Sequence, residues 1–254
     1  MSGLVRVGTS GWQYDDWRGT VYPEDLPKTR WLSHYATLFP TVEVNSTFYR
    51  LARRTAVDRW TATVPSGFEF VFKGSRYITH QKKLNEPDEA LRRFFEPLEG
   101  AREATAVVLW QLPGRWKRDV ERLESFLAAL PPDHRYAMEF RDDDWFHDET
   151  YELLDRYGVA NVWLSSSLTT EHATVATGDH VYVRFHGLDP DQAYRYDYSR
   201  EELRPWAERL GELARSGTPA WVFFNNDHHG HAVHNAEVLG ELLGDAASPP
   251  ASSG

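Results

Sequence analysis

Short apolar runs recur along the chain, and between most of them the apolar spacing changes from a period of two to one near 3.6. The runs 4–10, 41–49, 68–73, 105–111, 136–141, 161–165, 180–186 and 220–225 read as eight strands. The segments 28–39, 55–64, 87–99, 118–130, 148–157, 199–215 and 232–243 read as helices; in the first, Trp31, Leu32, Tyr35, Leu38 and Phe39 lie at helical spacing. Local signals agree: Thr55 can cap a helix, Pro87 suits a first turn, and Pro131-Pro132 halts a helix. Gly158 closes another, and Ser199 with Glu202 forms a capping box. Residues 166–178 lack helical periodicity and read as an irregular connection after the sixth strand. Strands alternating with helices favour a parallel sheet, and eight such units at this length favour an α/β fold with a single (β/α)8 barrel of TIM type. The barrel domain is placed at residues 1–245, and the Ser/Pro/Ala-rich tail 246–254 is expected to be disordered. A doubly wound open sheet is the alternative, but no Gly-rich dinucleotide fingerprint follows the first strand and no Gly-Lys-Ser phosphate loop occurs.

Side chains alternate across a strand, so parity sorts each strand into two faces. Val42 and Val44 oppose Glu43 and Asn45; Phe70 and Phe72 oppose Val71 and Lys73; Val108 and Trp110 oppose Leu109 and Gln111. Met138 and Phe140 oppose Ala137, Glu139 and Arg141; Val162 and Leu164 are set against Trp163 and Ser165. Val181, Val183 and Phe185 oppose Tyr182, Arg184 and His186, and Val222 and Phe224 oppose Phe223 and Asn225. One parity is apolar throughout and is expected to pack on helices. The other turns polar toward the strand's C-terminal end, which in a barrel is the mouth where active sites lie.

The mouth therefore collects Glu43, Asn45, Lys73, Gln111, Glu139, Arg141, Ser165, Arg184, His186 and Asn225, with Tyr49, His80 and Asn226 just beyond their strand ends. Lys73, Arg141 and Arg184 against Glu43 and Glu139 leave one excess positive charge, in a chain of net charge -10. A locally positive pocket in an acidic protein points to a small anionic ligand, of sugar-phosphate or nucleotide type. In that reading Glu43 or Glu139 is the general acid or base and His80 or His186 its proton-transfer partner. Lys73, Arg141 and Arg184 hold the anion, Asn45, Gln111 and Asn225 orient oxygens, and Tyr49 and Asn226 are further ligand contacts. The chemistry is of hydrolase or isomerase type. The bland reading is an ion network that plugs the barrel.

The 41% hydrophobic and 14% aromatic content suits a substantial core, and with no cysteine, disulfides and thiolate chemistry are excluded. A net charge of -10 disfavours a general duplex-DNA face. A module binding nucleotides or single-stranded nucleic acid remains an alternative, with Trp12, Trp17, Tyr49, Tyr194, Tyr196 and Tyr198 as stacking groups. No cofactor is expected. A divalent metal, and with it a nuclease-like hydrolase, has two weak candidates: Glu43 and Glu139 with His80 and His186, or the run His228, His229, His231 and His234. The N-terminus has no signal pattern and no apolar run is of spanning length, so the expectation is a cytoplasmic protein without a membrane partner.

Several motifs, in order, resemble the DUF72 (YecE-like) proteins: Gly8-Thr-Ser-Gly-Trp12, Val42-Glu-Val-Asn-Ser-Thr-Phe-Tyr49, Lys73, Thr79-His80 and Gln111-Leu-Pro113. Glu139-Phe-Arg141 with Trp145, Arg184-Phe-His-Gly187, and Phe224-Asn-Asn226 with Asn235-Ala236 complete the likeness, which runs from about residue 4 to 243. The resemblance implies a TIM barrel with these polar residues round its mouth and brings no established reaction. The four histidines 228, 229, 231 and 234 stand outside the pattern.

Overall fold

β-Branched and aromatic runs bounded by turns become the eight strands of one parallel sheet. They are β1 (Val5–Thr9), β2 (Thr41–Val44), β3 (Glu69–Lys73), β4 (Thr105–Gln111), β5 (Tyr136–Glu139), β6 (Ala160–Ser166), β7 (Val181–Gly187) and β8 (Ala220–Phe224). The structure is a computed structural model and describes residues 4–167, 174–192 and 195–251. Around the sheet lie α1 (Trp31–Tyr35), α2 (Ser46–Tyr49), α3 (Arg54–Thr63), α4 (Asp88–Phe95), α5 (Val120–Ala129), α6 (Asp148–Arg156), α7 (Arg200–Arg215) and α8 (His231–Leu243). The strand order β1-β8-β7-β6-β5-β4-β3-β2 brings β1 back beside β2, so the sheet is a nearly closed (β/α)8 barrel of TIM type.

The seam between β1 and β2 is held without a ladder. A Cβ on Gly8 would stand 2.3 Å from the Thr41 carbonyl oxygen, so only glycine permits the approach. The Tyr35 hydroxyl links the strands, accepting from the Thr9 N–H at 2.9 Å and donating to the Thr41 carbonyl at 3.1 Å.

Apolar burial falls in two layers. Phe70, Phe72, Trp110, Met138, Phe185 and Phe224 pack outward against the helices. Val71, Leu109, Ala137, Val162, Leu164, Tyr182 and Phe223 fill the barrel interior. For β3, β4, β5, β7 and β8 this is the parity expected. β6 is reversed: Val162 and Leu164 face inward, while Trp163 lies in the outer layer with the Arg209 guanidinium 4.3 Å above its ring. Ser165 accordingly leaves the mouth; its hydroxyl lies 3.0 Å from that of Tyr198, outside the barrel. Both parities of β6 carry large apolar residues, so alternation gives no direction there. Outside, Asn161 and Trp163 find a shared acceptor, the Val175 carbonyl, each at 3.0 Å.

The run expected as a strand over 41–49 ends at Val44 and turns into the short α2. Thr47 causes the turn: its hydroxyl contacts the Val44 carbonyl at 2.8 Å and the Lys73 carbonyl at 2.7 Å, so the chain folds over β3. The capping box of Ser199 and Glu202 forms as expected at the start of α7. The described part of the connection after β6, residues 167 and 174–180, has no strand and no multi-turn helix. At the opposite end of the barrel, Ala247 bridges to Val5 and the Ser248 N–H donates to the Val5 carbonyl at 2.8 Å. Residues 252–254 of the expected disordered tail lie outside the described residues, as do residues 1–3 of the barrel domain.

Candidate active site at the barrel mouth

Four inward groups from three strands and the loop after β5 meet below the mouth in a buried ion network. Arg184, on β7, is fully buried; its Nη2 donates to Glu43 Oε1 at 2.7 Å and its Nη1 to Glu139 Oε2. Tyr182 donates to Glu43 Oε2 at 2.6 Å, and Arg141 Nε donates to Glu139 Oε1 at 2.7 Å. Every carboxylate oxygen of this pair is thus occupied by a protein donor. Two carboxylates against two guanidiniums leave the network neutral, which makes the full burial of Glu43, Glu139 and Arg184 tolerable, while Arg141 stays partly exposed. Burial alone would raise the Glu139 carboxyl, but Arg184 and Arg141 outweigh it and hold it well below the ordinary carboxylate range. The same two glutamates hold the Arg184 guanidinium above its usual value in spite of burial.

Lys73 stands at the C-terminal end of β3, only 8% exposed. Its ammonium has no hydrogen bond or ion pair among the described residues and lies 4.6 Å from the centre of the Phe48 ring. Burial, followed by repulsion from Arg184, lowers its amine to about 7. Lys73 is the odd charge in a set otherwise balanced. His80 sits on the π-helical turn Tyr77–Gln81, edge-on to the same Phe48 ring at 5.1 Å, with its Nδ1 2.9 Å from the Thr79 hydroxyl. Burial and the Lys73 charge depress it.

His186 closes the other side. Its Nε2 is 3.8 Å from Glu139 Oε1 and 3.4 Å from Arg184 Nη1, and its Nδ1 is 3.1 Å from the Asn225 amide. Burial and then Arg184 push it well below the usual histidine range, so the imidazole is neutral at physiological pH. Asn45 donates to the Ser10 carbonyl at 3.1 Å and reaches Asn225 at 3.5 Å. Two buried acceptors here, Asn45 Oδ1 and Ser10 Oγ, have no protein partner among the described residues. Gln111, 6% exposed, likewise has no side-chain hydrogen bond to the described protein.

The structure therefore gathers Glu43, Asn45, Lys73, Gln111, Glu139, Arg141, Arg184, His186 and Asn225, with His80 beside them. Asn226 is not among them: it is fully buried on the outer side, donating to the Tyr196 carbonyl and to Asn235 Oδ1, each at 2.7 Å. Tyr49 is 68% exposed at the rim, with the Arg76 guanidinium 5.8 Å from its ring. Among the other aromatics considered for stacking, Trp12, Trp17 and Tyr198 are core residues, and Tyr194 lies outside the described residues. Sequence reasoning passed over Tyr182 although it shares the inward parity of Arg184; a phenol reads as apolar filling until its carboxylate partner is seen. Phe48 and Ser10 stood only inside the quoted motifs and were given no role at the site, because parity is lost where β1 and β2 end. Among the described residues, no three His, Asp or Glu side chains are arranged to hold a metal ion, in the network or in the 228–234 run. No described helix is long and apolar enough to cross a membrane.

Comparison with known proteins agrees with this architecture. A structure of a DUF72 family protein, TM1631 from Thermotoga maritima, superposes with a TM-score of 0.85 at 33% identity, over 94% of this chain and 99% of that one. The UPF0759 protein YunF of Bacillus subtilis is 25% identical over 94% of this chain and 95% of its own length. YecE of Escherichia coli K12 is also 25% identical, over 94% of this chain and 93% of its own length. The family model described as "Protein of unknown function DUF72" matches residues 6–253, and the chain belongs to that family.

Proposed function

We propose that this barrel is an enzyme that acts by acid/base chemistry on a small anionic ligand held at its mouth. The observation that carries the reading is the Lys73 amine, buried at a strand end with neither an ion pair nor a hydrogen bond among the described residues. A plug that served only the fold would be expected to pair such a cation, since unpaired buried charge is costly.

The roles divide by what each group has free. Arg184, Glu43 and Glu139 are spent on one another, so they set the field of the site and position Arg141. Arg141 uses Nε on Glu139 and has a side chain 33% exposed, which leaves its terminal nitrogens to take a carboxylate or phosphate. Lys73, poised at about 7, and the neutral His186 are the groups fitted to move a proton near neutral pH. Gln111 and Asn45 have unused polar atoms to orient ligand oxygens. His80, edge-on to the Phe48 ring, is a second proton carrier.

The test is ligand-induced stabilisation with inorganic phosphate, sugar phosphates, oxo acids and nucleotides as probes. A ligand at a hundred times its dissociation constant adds about 2.7 kcal/mol. Stabilisation by an anion, weakened at least tenfold in affinity by Arg141→Gln, supports the reading. Anion binding that Arg141→Gln leaves unchanged overturns it.

A further inference from the structure

Of the five described lysines, four carry the amine at or near the surface; among these Lys83 is exposed, with its Nζ 5.9 Å from the Trp116 ring. Lys28, Lys82 and Lys117 lie on the surface against Asp15, Glu86 and Asp142, at 2.5, 3.4 and 2.9 Å. Lys73 has none of this: the two carboxylates nearest it in the fold are occupied by Arg184, Arg141 and Tyr182. Two guanidiniums share its surroundings, an aromatic face lies against Nζ, and its aliphatic stem is buried in the barrel. Desolvation beside other cations is the arrangement that frees a lysine lone pair for attack on a carbonyl carbon. Fixation is equally good, since Thr47 holds the Lys73 carbonyl at 2.7 Å and the Gly74 N–H donates to the Leu109 carbonyl at 2.7 Å.

We propose that Lys73 is a nucleophile that forms an imine with the carbonyl carbon of a small oxo compound bearing an anionic group, an oxo acid or a keto- or aldo-sugar phosphate. The inference rests on the anion-site reading for the charged end of the substrate, which Arg141 holds, and adds the reacting atom. The Nζ lone pair attacks the carbonyl carbon and the C–N bond forms. The carbonyl π pair moves to oxygen, which takes a proton while nitrogen releases one. The hydroxyl then leaves as water with a further proton, and C=N forms. No oxidant or reductant enters, and hydrolysis reverses the sequence. Gln111, of the same inward parity on the neighbouring strand β4, has a free amide to receive the carbinolamine oxygen. The iminium then draws electrons from the adjacent carbon, and the neutral His186 takes the proton that carbon releases.

The experiment is reductive trapping. The full chain is incubated with pyruvate or with pyruvamide, its uncharged counterpart, in the presence of sodium borohydride, which turns C=N into a stable secondary amine. Intact mass gives the extent of labelling, and peptide mapping of the wild-type protein gives the position, so the result does not depend on a variant folding. Expected is one dominant label on Lys73, absent from Lys73→Met, with pyruvate labelling at least tenfold faster than pyruvamide and that advantage lost in Arg141→Gln. Labelling spread evenly over Lys28, Lys82, Lys83 and Lys117, or no label at Lys73 with either probe, overturns the imine. If anions bind through Arg141 while neither probe labels Lys73, the imine falls and the anion site stands. If both probes label Lys73 equally well, the imine stands and the anion site falls.

Discussion

Replacing Lys73 with methionine is expected to stabilise the protein at pH 6, by an amount that shrinks as the pH rises. Burial beside Arg184 lowers the amine from 10.5 to about 7. Below pH 7 the folded and unfolded chains both carry the proton, and the folded state bears the full cost of a desolvated ammonium. Between about 7 and 10.5 the unfolded chain binds more protons than the folded one, so stability rises with pH across that window. At ~1.4 kcal/mol per tenfold change in affinity for the proton, the whole displacement amounts to at most about 5 kcal/mol. Methionine is unbranched like lysine, ends where the lysine Cε stands, and does not titrate. Urea unfolding of both proteins at pH 6, 7, 8 and 9 gives the difference, in which the titration of every other group cancels to first order. The variant is expected to lead by roughly 2–5 kcal/mol at pH 6 and to lose about 2–3 kcal/mol of that lead by pH 9. A lead independent of pH, or a wild type more stable at pH 6, would refute the claim that a costly cation is buried at the mouth.

Arg184→Met leaves Glu43 and Glu139 facing each other without their shared partner and is expected to cost about 3–5 kcal/mol in urea unfolding; adding Glu43→Gln and Glu139→Gln to it should restore part of the loss. Tyr182→Phe removes the donor to Glu43 Oε2 and nothing else, so a loss of about 1–3 kcal/mol is expected, with anion binding unchanged. Gly74→Ala would set a Cβ 2.0 Å from the Trp110 ring, so a loss of at least about 2 kcal/mol and a shift in Trp110 fluorescence are expected, next in sequence to the reactive lysine. Asn235→Ala removes the side chain that accepts from Asn226 and Tyr198 and donates to Asp197, and is expected to lower the thermal midpoint and free Asn226, read by amide exchange at Tyr198.

How much of this was legible in the sequence depended on contrast between the two parities. Where one face was apolar and the other ended in charge, as in Val42-Glu43-Val44 or Val183-Arg184-Phe185, alternation placed the side chain correctly. In β6 the sequence Val162-Trp163-Leu164 is apolar on both faces, and the strand took the face that gave Asn161 and Trp163 an acceptor outside. Asn225 and Asn226 look alike in sequence, yet one meets His186 and the other meets Asn235 on α8, because extended pairing continues through Asn225, whose N–H donates to the Phe185 carbonyl, and successive side chains fall on opposite sides. Pairing within the network was not legible at all. Alternation shows that Glu43, Glu139 and Arg184 share the interior, but only distances show that Arg184, Tyr182 and Arg141 together occupy all four carboxylate oxygens and leave the lysine alone. In the proposed reading that distinction gives the glutamates' expected acid/base role to Lys73, with His186 kept as a proton-transfer group.

The neutrality of the Glu43, Glu139, Arg141 and Arg184 set has a thermodynamic signature of its own. With those four cancelling, the charge that a ligand meets at the mouth is that of Lys73, which near pH 7 is shared between protonated and free forms. An anion that lodges beside it favours the protonated form, so binding at pH 8 draws a proton from solution, whereas a neutral ligand of the same shape draws none. Calorimetric titrations repeated in phosphate-free buffers of different ionisation enthalpy would read that uptake as a heat that changes with the buffer while the affinity does not. On the anion-site proposal the barrel mouth would act as a proton-counting receptor, and a fall in ambient pH would tighten its hold on anions with no movement of the backbone.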